Sequence, residues 1–199
     1  MITEKNYFLE KSINESISCQ KNLIFLKKEI GDSIRLLYQK IKKGGKIIFC
    51  GNGGSAADAQ HFAAELLIRL RPKVNRKPIK AVSLVLDTST ITACGNDYSF
   101  DEIFSRPFEA LGEKNDVLFA ISTSGNSKNI LKVLKKSKRM NIPSISLLGF
   151  DGGRSKKYSN VSLIVNSNSV ARIQEAHTFL GHYIIEQVEN LVLKKKKLR

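Results

Sequence analysis

Three side chains suited to acid–base work on a polar ligand recur at one regular interval in this sequence. His61, Glu65 and Arg69 occupy positions i, i+4 and i+8, and this spacing predicts that they share one face of an α-helix. An imidazole, a carboxylate and a guanidinium would then stand in line. A solvated i, i+4 pair is the simpler alternative for His61 and Glu65.

A glycine-rich turn precedes this helix. Gly51–Gly54 reads GNGG and follows an apolar stretch, Ile47–Cys50, which predicts a buried strand. Ser55 and Asp58 form an S-x-x-D pattern that is typical of a helix start. Converging backbone N–H groups and a helix N-terminus favour an anion or a hydroxyl-rich ligand. The turn matches neither the dinucleotide nor the P-loop pattern, and a tight turn without a ligand remains the alternative.

A second turn of the same kind is rich in hydroxyl groups. It follows the apolar stretch Asp116–Ile121 and precedes another predicted helix. Hydroxyls, backbone amides and the helix dipole are sufficient donors for a phosphate group. We therefore predict phosphate binding here, against the alternative of an ordinary polar loop. The hydroxyl residues are Ser122, Thr123, Ser124 and Ser127.

Alternating strands and helices must position these two turns. Apolar runs predict five strands at Ile47–Cys50, Ile79–Leu86, Asp116–Ile121, Ser144–Leu148 and Val161–Val165. Strands that alternate with helices favour right-handed crossovers and a parallel sheet that is covered on both faces. The predicted fold is an α/β three-layer sandwich with a five-stranded parallel sheet. Ligands in such sheets bind beyond the carboxyl ends of the strands, where both turns lie.

The chain is predicted to form a single domain in three parts. Residues 1–43 read as N-terminal helices, residues 44–193 as the α/β core, and residues 194–199 as a basic tail. The final helix of the core is predicted over Val170–Val192. Its His177 is interpreted as a packed or hydrogen-bonded helix histidine.

Composition excludes several classes of protein. The chain has 199 residues and no apolar run near the about eighteen residues of a membrane span, and its N-terminus lacks a secretory pattern. Cys19, Cys50 and Cys94 are odd in number and far apart, which indicates reduced thiols of a cytoplasmic protein. The net charge of +15 raises nucleic acid as a partner. The basic segments lack aromatic interleaving, so a lysine-rich solvated surface is the preferred interpretation.

Four motifs in order resemble those of bacterial phosphoheptose isomerases, which have the sugar isomerase (SIS), flavodoxin-like fold. The motifs are GNGGSAADAQHFAAEL, GNDYSFDEIFSR, ISTSGNS and RIQEAH. The resemblance implies isomerisation of sedoheptulose 7-phosphate to D-glycero-D-manno-heptose 7-phosphate for lipopolysaccharide or capsule. It also implies a cytoplasmic homotetramer, with active sites at subunit interfaces and N-terminal helices in those interfaces.

The resemblance also implies roles for individual residues. Glu65 would be the general base and His182 the partner acid/base. One Zn²⁺ per subunit would be held by His61, Glu65, Gln174 and His182, although Gln174 and His182 lie roughly 12 Å apart along an ideal helix. The phosphate would bind at the hydroxyl turn described above. The remaining substrate-binding residues would be Asn52, Gly53, Gly54, Ser55, Arg69, Asn96, Asp97 and Gln174.

Two other functions compete with this hypothesis. Non-catalytic SIS proteins that bind the replication initiator DnaA are similar in sequence, but they lack the glutamate and the late histidine, which are present here as Glu65 and His182. An isomerase acting on another sugar phosphate is the second competitor. Departures from the family pattern at Leu67, Ile68, Ser99 and Phe150 bear on packing and on the choice of sugar.

Overall fold

A five-stranded parallel sheet forms the centre of the computed structural model, which describes the backbone of residues 3–197 and the side chains of residues 8–194. The spatial order of the strands is β2-β1-β3-β4-β5. The predicted α/β class and the five parallel strands are confirmed. The strands are β1 Ile47–Gly51, β2 Ala81–Ser83, β3 Val117–Ser122, β4 Ser144–Gly149 and β5 Val161–Val165.

Helices cover both faces of this sheet. Within residues 3–197, none of them is long and apolar enough to cross a membrane. Short 3₁₀ turns occupy Leu23–Leu26, Phe100–Glu102 and Gly153–Tyr158. The α-helices are α1 Thr3–Asn22, α2 Lys27–Lys42, α3 Gly54–Leu67, α4 Thr88–Asp97, α5 Ser105–Leu111, α6 Lys128–Arg139 and α7 Val170–Lys197.

Three predicted elements differ most from the structure, whereas β1, β3 and β4 each match their predicted bounds within one residue. The strand predicted over Ile79–Leu86 is paired as β2 only at residues 81–83, because the chain turns where Leu86 N donates to Ser83 O. The helix predicted over Phe100–Leu111 is a 3₁₀ turn followed by α5. Helix α7 runs past its predicted end at Val192 and includes residues 194–197 of the predicted basic tail. Residues 1, 2, 198 and 199, at the ends of the predicted terminal segments, lie outside the described residues.

The strand side chains alternate between two apolar cores, as the two-residue period of a strand requires. Ile47 and Phe49 of β1 point into a core shared with α2, α3 and α7, where Phe62 and Ile184 are fully buried. The opposite face of the sheet packs against α4, α5 and α6. Burial on both faces explains why the central strands are apolar along their whole length.

The sheet reverses its winding direction between β1 and β3. Strand β1 pairs with β2 on one side and β3 on the other, so the connections that leave β1 and β3 run to opposite faces. Gly51 pairs with Ile121 in the register, so the two strands end at the same level. A crevice at such a switch point is the usual ligand site of an open parallel sheet. The glycine turn and the hydroxyl turn therefore begin side by side.

Candidate active site

The glycine turn positions α3 through its backbone. Gly53 has φ +56° and ψ −122°, a conformation that a residue with a side chain rarely adopts. Helix α3 therefore begins at Gly54, one residue before the predicted start. The prediction that Ser55 and Asp58 form the helix cap is wrong, because Gly53 occupies the N-cap and the Asp58 carboxylate instead accepts a hydrogen bond from Thr178. Ser55 is buried in the first turn of the helix.

The hydroxyl turn is fixed by bonds that leave donors available. Ser122 Oγ accepts a hydrogen bond from Gly125 N at 3.2 Å, and Ser124 Oγ accepts one from Asn126 N at 3.1 Å. Each serine still has its own O–H as a donor, and Ser124 is partly exposed whereas Ser122 is buried. Gly125 has φ +61°, and a Cβ there would lie 2.2 Å from Gly152 O. The turn is therefore held against the neighbouring loop after β4, ahead of the N-terminus of α6.

An amide pair joins the two turns. Asn52 and Asn129 exchange two side-chain hydrogen bonds, each 2.9 Å long. Asn129 also accepts a bond from Ile130 N in the first turn of α6. Asn52 is a sugar-binding residue implied by the family resemblance, whereas Asn129 is not predicted from the sequence. The predicted location of both turns at the carboxyl ends of the strands was the signal that could have paired these two residues.

Three proton-exchanging side chains meet where α3 packs on α7, with His61 about two helical turns along α3 from the glycine turn. His61 Nε2 lies 3.0 Å from Glu65 Oε1 and 3.2 Å from His182 Nε2. One ligand atom from each of the three residues falls within 4.8 Å of the other two. The His61 side chain is 46% exposed and that of Glu65 is 19% exposed, so solvent and substrate can reach the cluster. Helices α3 and α7 thus bring together residues that are 121 positions apart in sequence.

The donor set of this cluster fits a zinc ion. Two imidazole nitrogens and a carboxylate oxygen are ligands that zinc prefers, with Zn–N bonds of about 2.0–2.1 Å. Two nitrogens bound to one tetrahedral ion at that length lie about 3.3 Å apart, close to the 3.2 Å between His61 Nε2 and His182 Nε2. Three protein ligands leave a fourth tetrahedral position for a further side chain or a bound molecule.

Close packing holds α3 against α7 at this point. A Cβ on Gly181 would lie 2.0 Å from the Phe62 ring, so this position requires a glycine. One turn away, Thr178 Oγ1 donates to Asp58 Oδ1 at 2.9 Å. Burial raises the pKa of the Asp58 carboxyl, while the bond from Thr178 and the nearby histidines oppose that rise.

Helix α3 is too short to include all three of the side chains that were predicted to share one of its faces. It ends at Leu67, so Arg69 lies beyond it and the prediction that it continues the face of His61 and Glu65 is wrong. The cause is an arginine from the following loop: Arg76 donates to Glu65 O at 2.6 Å and to Leu66 O at 2.9 Å. Such bonds satisfy carbonyl groups at the helix end, where the helix itself supplies no partner.

The other predicted site residues lie apart from the cluster or at its margin. A Cβ on Gly54 would lie 2.5 Å from Gln174 Nε2, so the Gln174 amide rests on the glycine turn. Its role as a metal ligand stays a prediction. Asn96 and Asp97 are exposed at the end of α4 and are bonded to each other at 2.8 Å. No hydrogen bond within the described residues joins this pair to the two turns.

His177 is a packed and hydrogen-bonded helix histidine, as predicted from the sequence. It is fully buried in α7, and its Nε2 lies 3.0 Å from Leu148 O at the end of β4. Its Nδ1 has no hydrogen-bond partner within the described residues. Burial lowers the pKa of this imidazole to about 4, the bond to Leu148 opposing that effect. A neutral imidazole therefore anchors α7 to the sheet.

Comparison with known proteins places this architecture in a family. The SIS domain family matches residues 14–149. The phosphoheptose isomerase of Helicobacter pylori (strain Shi470) is 49% identical over 170 residues, which cover 85% of this chain and 88% of that protein. The phosphoheptose isomerase of Clostridium acetobutylicum is 42% identical over 193 residues, which cover 95% and 97%.

Solved structures agree in fold over nearly the whole chain. Phosphoheptose isomerase GmhA from Neisseria gonorrhoeae superposes with a TM-score of 0.87 at 38% identity, covering 96% of this chain and 100% of that one. A phosphoheptose isomerase from Francisella tularensis gives 0.85 at 33% identity, covering 95% and 98%. This chain belongs to the SIS-domain family and, within that family, to the phosphoheptose isomerases.

Proposed function

We propose that this protein is an aldose–ketose isomerase that converts sedoheptulose 7-phosphate to D-glycero-D-manno-heptose 7-phosphate. The observation that carries the proposal is the meeting of Glu65 with His182 in one accessible cluster, on the helix that follows the glycine turn. The names of relatives that are 42% and 49% identical support the same activity.

The proposed reaction moves a carbonyl group from C2 to C1 by proton transfer. The Glu65 carboxylate takes a proton from C1, which gives an enediol, and returns a proton to C2. The His182 imidazole carries the hydroxyl proton between the two oxygens. General acid–base catalysis of this kind requires groups that approach the reacting atoms within hydrogen-bond reach. Atoms of Glu65 and His182 lie within 4.8 Å of each other, which supports their action on neighbouring carbons of one sugar.

The phosphate end of the sugar would bind at the hydroxyl turn. Ser122 and Ser124 offer their O–H groups, and Thr123 and Ser127 add two more hydroxyls at the N-terminus of α6. The helix dipole there favours negative charge. Binding energy gained at this end positions the distant carbonyl over Glu65, which is how remote contacts increase turnover.

A zinc ion at His61, Glu65 and His182 is part of the proposal. Zinc would polarise the carbonyl oxygen of the sugar and stabilise the negative charge that develops on it. Gln174, which rests on the glycine turn, is the fourth ligand predicted from the family resemblance. The fit of the three donor atoms supports a metal at this place.

We further propose a cytoplasmic homotetramer that serves heptose synthesis for lipopolysaccharide or capsule. Leu9, Ile13 and Ile17 form an exposed apolar stripe on α1, which supports a contact with a second copy of the chain. The open cluster at His61 would be completed by that copy. All three cysteines are free, in keeping with a reducing compartment.

A coupled assay with sedoheptulose 7-phosphate tests the activity and the metal together. The purified protein should form the aldose, lose turnover after dialysis against a chelator, and regain it when zinc is added. Turnover that survives complete metal removal would contradict the zinc assignment alone. A folded, zinc-loaded protein without turnover would contradict the isomerase assignment and favour a binding role.

A further inference from the structure

A buried ion pair connects the end of α3 to α7 on the side away from the turns. Arg76, in the loop after α3, and Glu189, in α7, have side chains with no exposed surface, and Arg76 Nε lies 2.7 Å from Glu189 Oε1. Arg71 Nε lies 2.7 Å from the other carboxylate oxygen. Both oxygens of a fully buried carboxylate are therefore bonded to guanidinium groups.

The same guanidinium holds the backbone of the proposed base. Arg76 Nη2 donates to Glu65 O at 2.6 Å, and Nη1 donates to Leu66 O at 2.9 Å and to Lys77 O at 3.1 Å. With the bond to Glu189, these use four of the five N–H donors of arginine. Glu65 is thus fixed at its carbonyl by Arg76 and at its carboxylate by His61.

Glu189 lies seven residues after His182 on α7, which places the two residues on one face, two turns apart. We propose that Arg76 and Glu189 are positioning residues that set the approach of Glu65 to His182 by fixing the C-terminal end of α3 on α7. The inference rests on the proposed isomerase function and extends it to residues that touch neither substrate nor metal.

The chemistry of the pair favours a positioning role over a stabilising one. Burying two charges costs much of what their attraction supplies, so replacing such a pair by apolar residues is often neutral for stability. A guanidinium with four N–H groups engaged, in contrast, fixes both the distance and the orientation of the groups that it bonds. An apolar contact at the end of α3 could support packing, but it could not fix the Glu65 carbonyl.

The test compares two variants with a matched control. Glu189→Gln removes the charge and keeps the shape, while the double variant Arg76→Met/Glu189→Leu removes the buried charges together and keeps the chain foldable. Asp116→Asn is the control. Asp116 is 1% exposed and accepts bonds from the backbone N–H and the ammonium group of Lys46 and from Glu113 N, and none of its hydrogen bonds within the described residues reaches α3 or α7.

Turnover, thermal stability and zinc affinity are measured for each protein. A displaced catalytic group can cost up to about 10²-fold in rate; we expect kcat to fall at least about tenfold in both variants, with KM within threefold because the hydroxyl turn is untouched. Zinc affinity of the metal-free protein should fall as well, measured by competition with a chromophoric chelator. Asp116→Asn should lower the melting temperature and keep kcat.

Two results would overturn the proposal. One is a double variant that folds and keeps the kcat and zinc affinity of the wild type. The other is a loss of kcat that follows melting temperature equally in all variants, Asp116→Asn included. A wild type without turnover but with zinc affinity contradicts the isomerase function, and zinc affinity of the variants then still decides the positioning role. A wild type that neither turns over substrate nor binds zinc overturns both.

Discussion

Glu65 is held from two sides, and this explains how one carboxylate can serve as a proposed base. Its side chain meets His61 at 3.0 Å, and its carbonyl accepts a bond from Arg76 at 2.6 Å. The carboxylate is 19% exposed, so it is reachable without being free to swing into solvent. Preorganisation of this kind is what acid–base catalysis requires of a group that must act on one proton of a sugar.

Replacing Glu65 by glutamine should separate chemistry from binding. The amide keeps the size of the side chain but cannot accept the C1 proton, so we expect kcat to fall by at least about 10²-fold. Substrate affinity, measured by calorimetry on the variant, should change little, because the phosphate end binds elsewhere. Glu109→Gln, on α5, is the surface control. Turnover at the wild-type rate by Glu65→Gln would contradict the base assignment.

His177 should make the folded protein sensitive to acid. Burial lowers the pKa of this imidazole from 6.5 to about 4 in the folded chain, so between those values the unfolded chain binds a proton that the folded chain does not. Stability therefore falls as pH decreases from 6.5 towards 4, by up to about 1.4 kcal/mol per pH unit.

The measurement is the free energy of unfolding between pH 4 and pH 8, compared with His177→Gln. Glutamine can still donate to Leu148 O but does not titrate. The difference between the two curves should be constant above pH 7 and shrink or reverse below pH 6. Parallel curves over the whole range would contradict the assignment of a neutral, buried His177.

At the scale of elements, the pairing of α3 with α7 creates the cluster of His61, Glu65 and His182. Gly181 allows α7 to approach Phe62, Thr178 bonds Asp58, and the two helices run side by side so that His61 meets His182. The close approach of the two helices therefore depends on the absence of a side chain at Gly181. Any side chain at position 181 must force the helices apart or displace a ring that has no exposed surface.

Gly181→Ala should lower both stability and turnover. Overpacking a well-packed interior costs about 1–3 kcal/mol, and the added Cβ would lie 2.0 to 2.5 Å from three atoms of the Phe62 ring. Gly31→Ala in α2 is the matched control, because its Cβ would meet only Arg35 Nη1 at 3.9 Å. The melting temperature and kcat should both decrease for Gly181→Ala and stay unchanged for Gly31→Ala. Equal melting temperatures would contradict the close-packing argument.

Sequence patterns predicted the elements better than their ends. Apolar runs followed by small-residue turns located β1 and β3 and the helices after them, because burial and turn chemistry are local properties. The start of α3 was misplaced because Gly53 caps it with a positive φ and not with a side chain. Its end was misplaced because the group that stops it, Arg76, is fixed by Glu189, 113 positions away. No local pattern carries that information.

The residues of the candidate site, like the elements of the fold, could be predicted only in part from the sequence. His61 and Glu65 were found from helical spacing, and His182 from the family resemblance. Asn129 and Thr178 were missed because their partners, Asn52 and Asp58, belong to distant parts of the chain. Contacts of this kind depend on the order of strands in the sheet, which the sequence constrains only through the whole topology.

At the scale of the whole molecule, the N-terminal helices leave an apolar stripe uncovered. Leu9, Ile13 and Ile17 are 61%, 48% and 46% exposed and recur at intervals of four residues, so they lie on one face of α1. Helix α2, in contrast, buries Leu37 against the core. An exposed stripe of this kind indicates a protein–protein contact, and a second copy of the chain is the proposed occupant.

Placing charge on this stripe should separate the subunits. We expect Ile13→Asp/Ile17→Asp to reduce the mass measured by sedimentation from that of a tetramer, because buried carboxylates without partners oppose association. Leu111→Asp, at another exposed apolar position on α5, is the control and should keep the assembly. A double variant with the wild-type mass would show that α1 does not form the interface of the proposed tetramer.

The reciprocal amide pair of Asn52 and Asn129 sets a rule for redesigning the two turns. Each amide gives the other one donor and one acceptor, so an aspartate at either position would place two acceptors face to face. The partners are 77 positions apart, and a loop grafted from another sugar enzyme must therefore arrive with its counterpart. Directed evolution that randomises one loop at a time would often break the hydrogen bonds between the two amides. Libraries that vary both loops together can keep a matched donor and acceptor at these two positions.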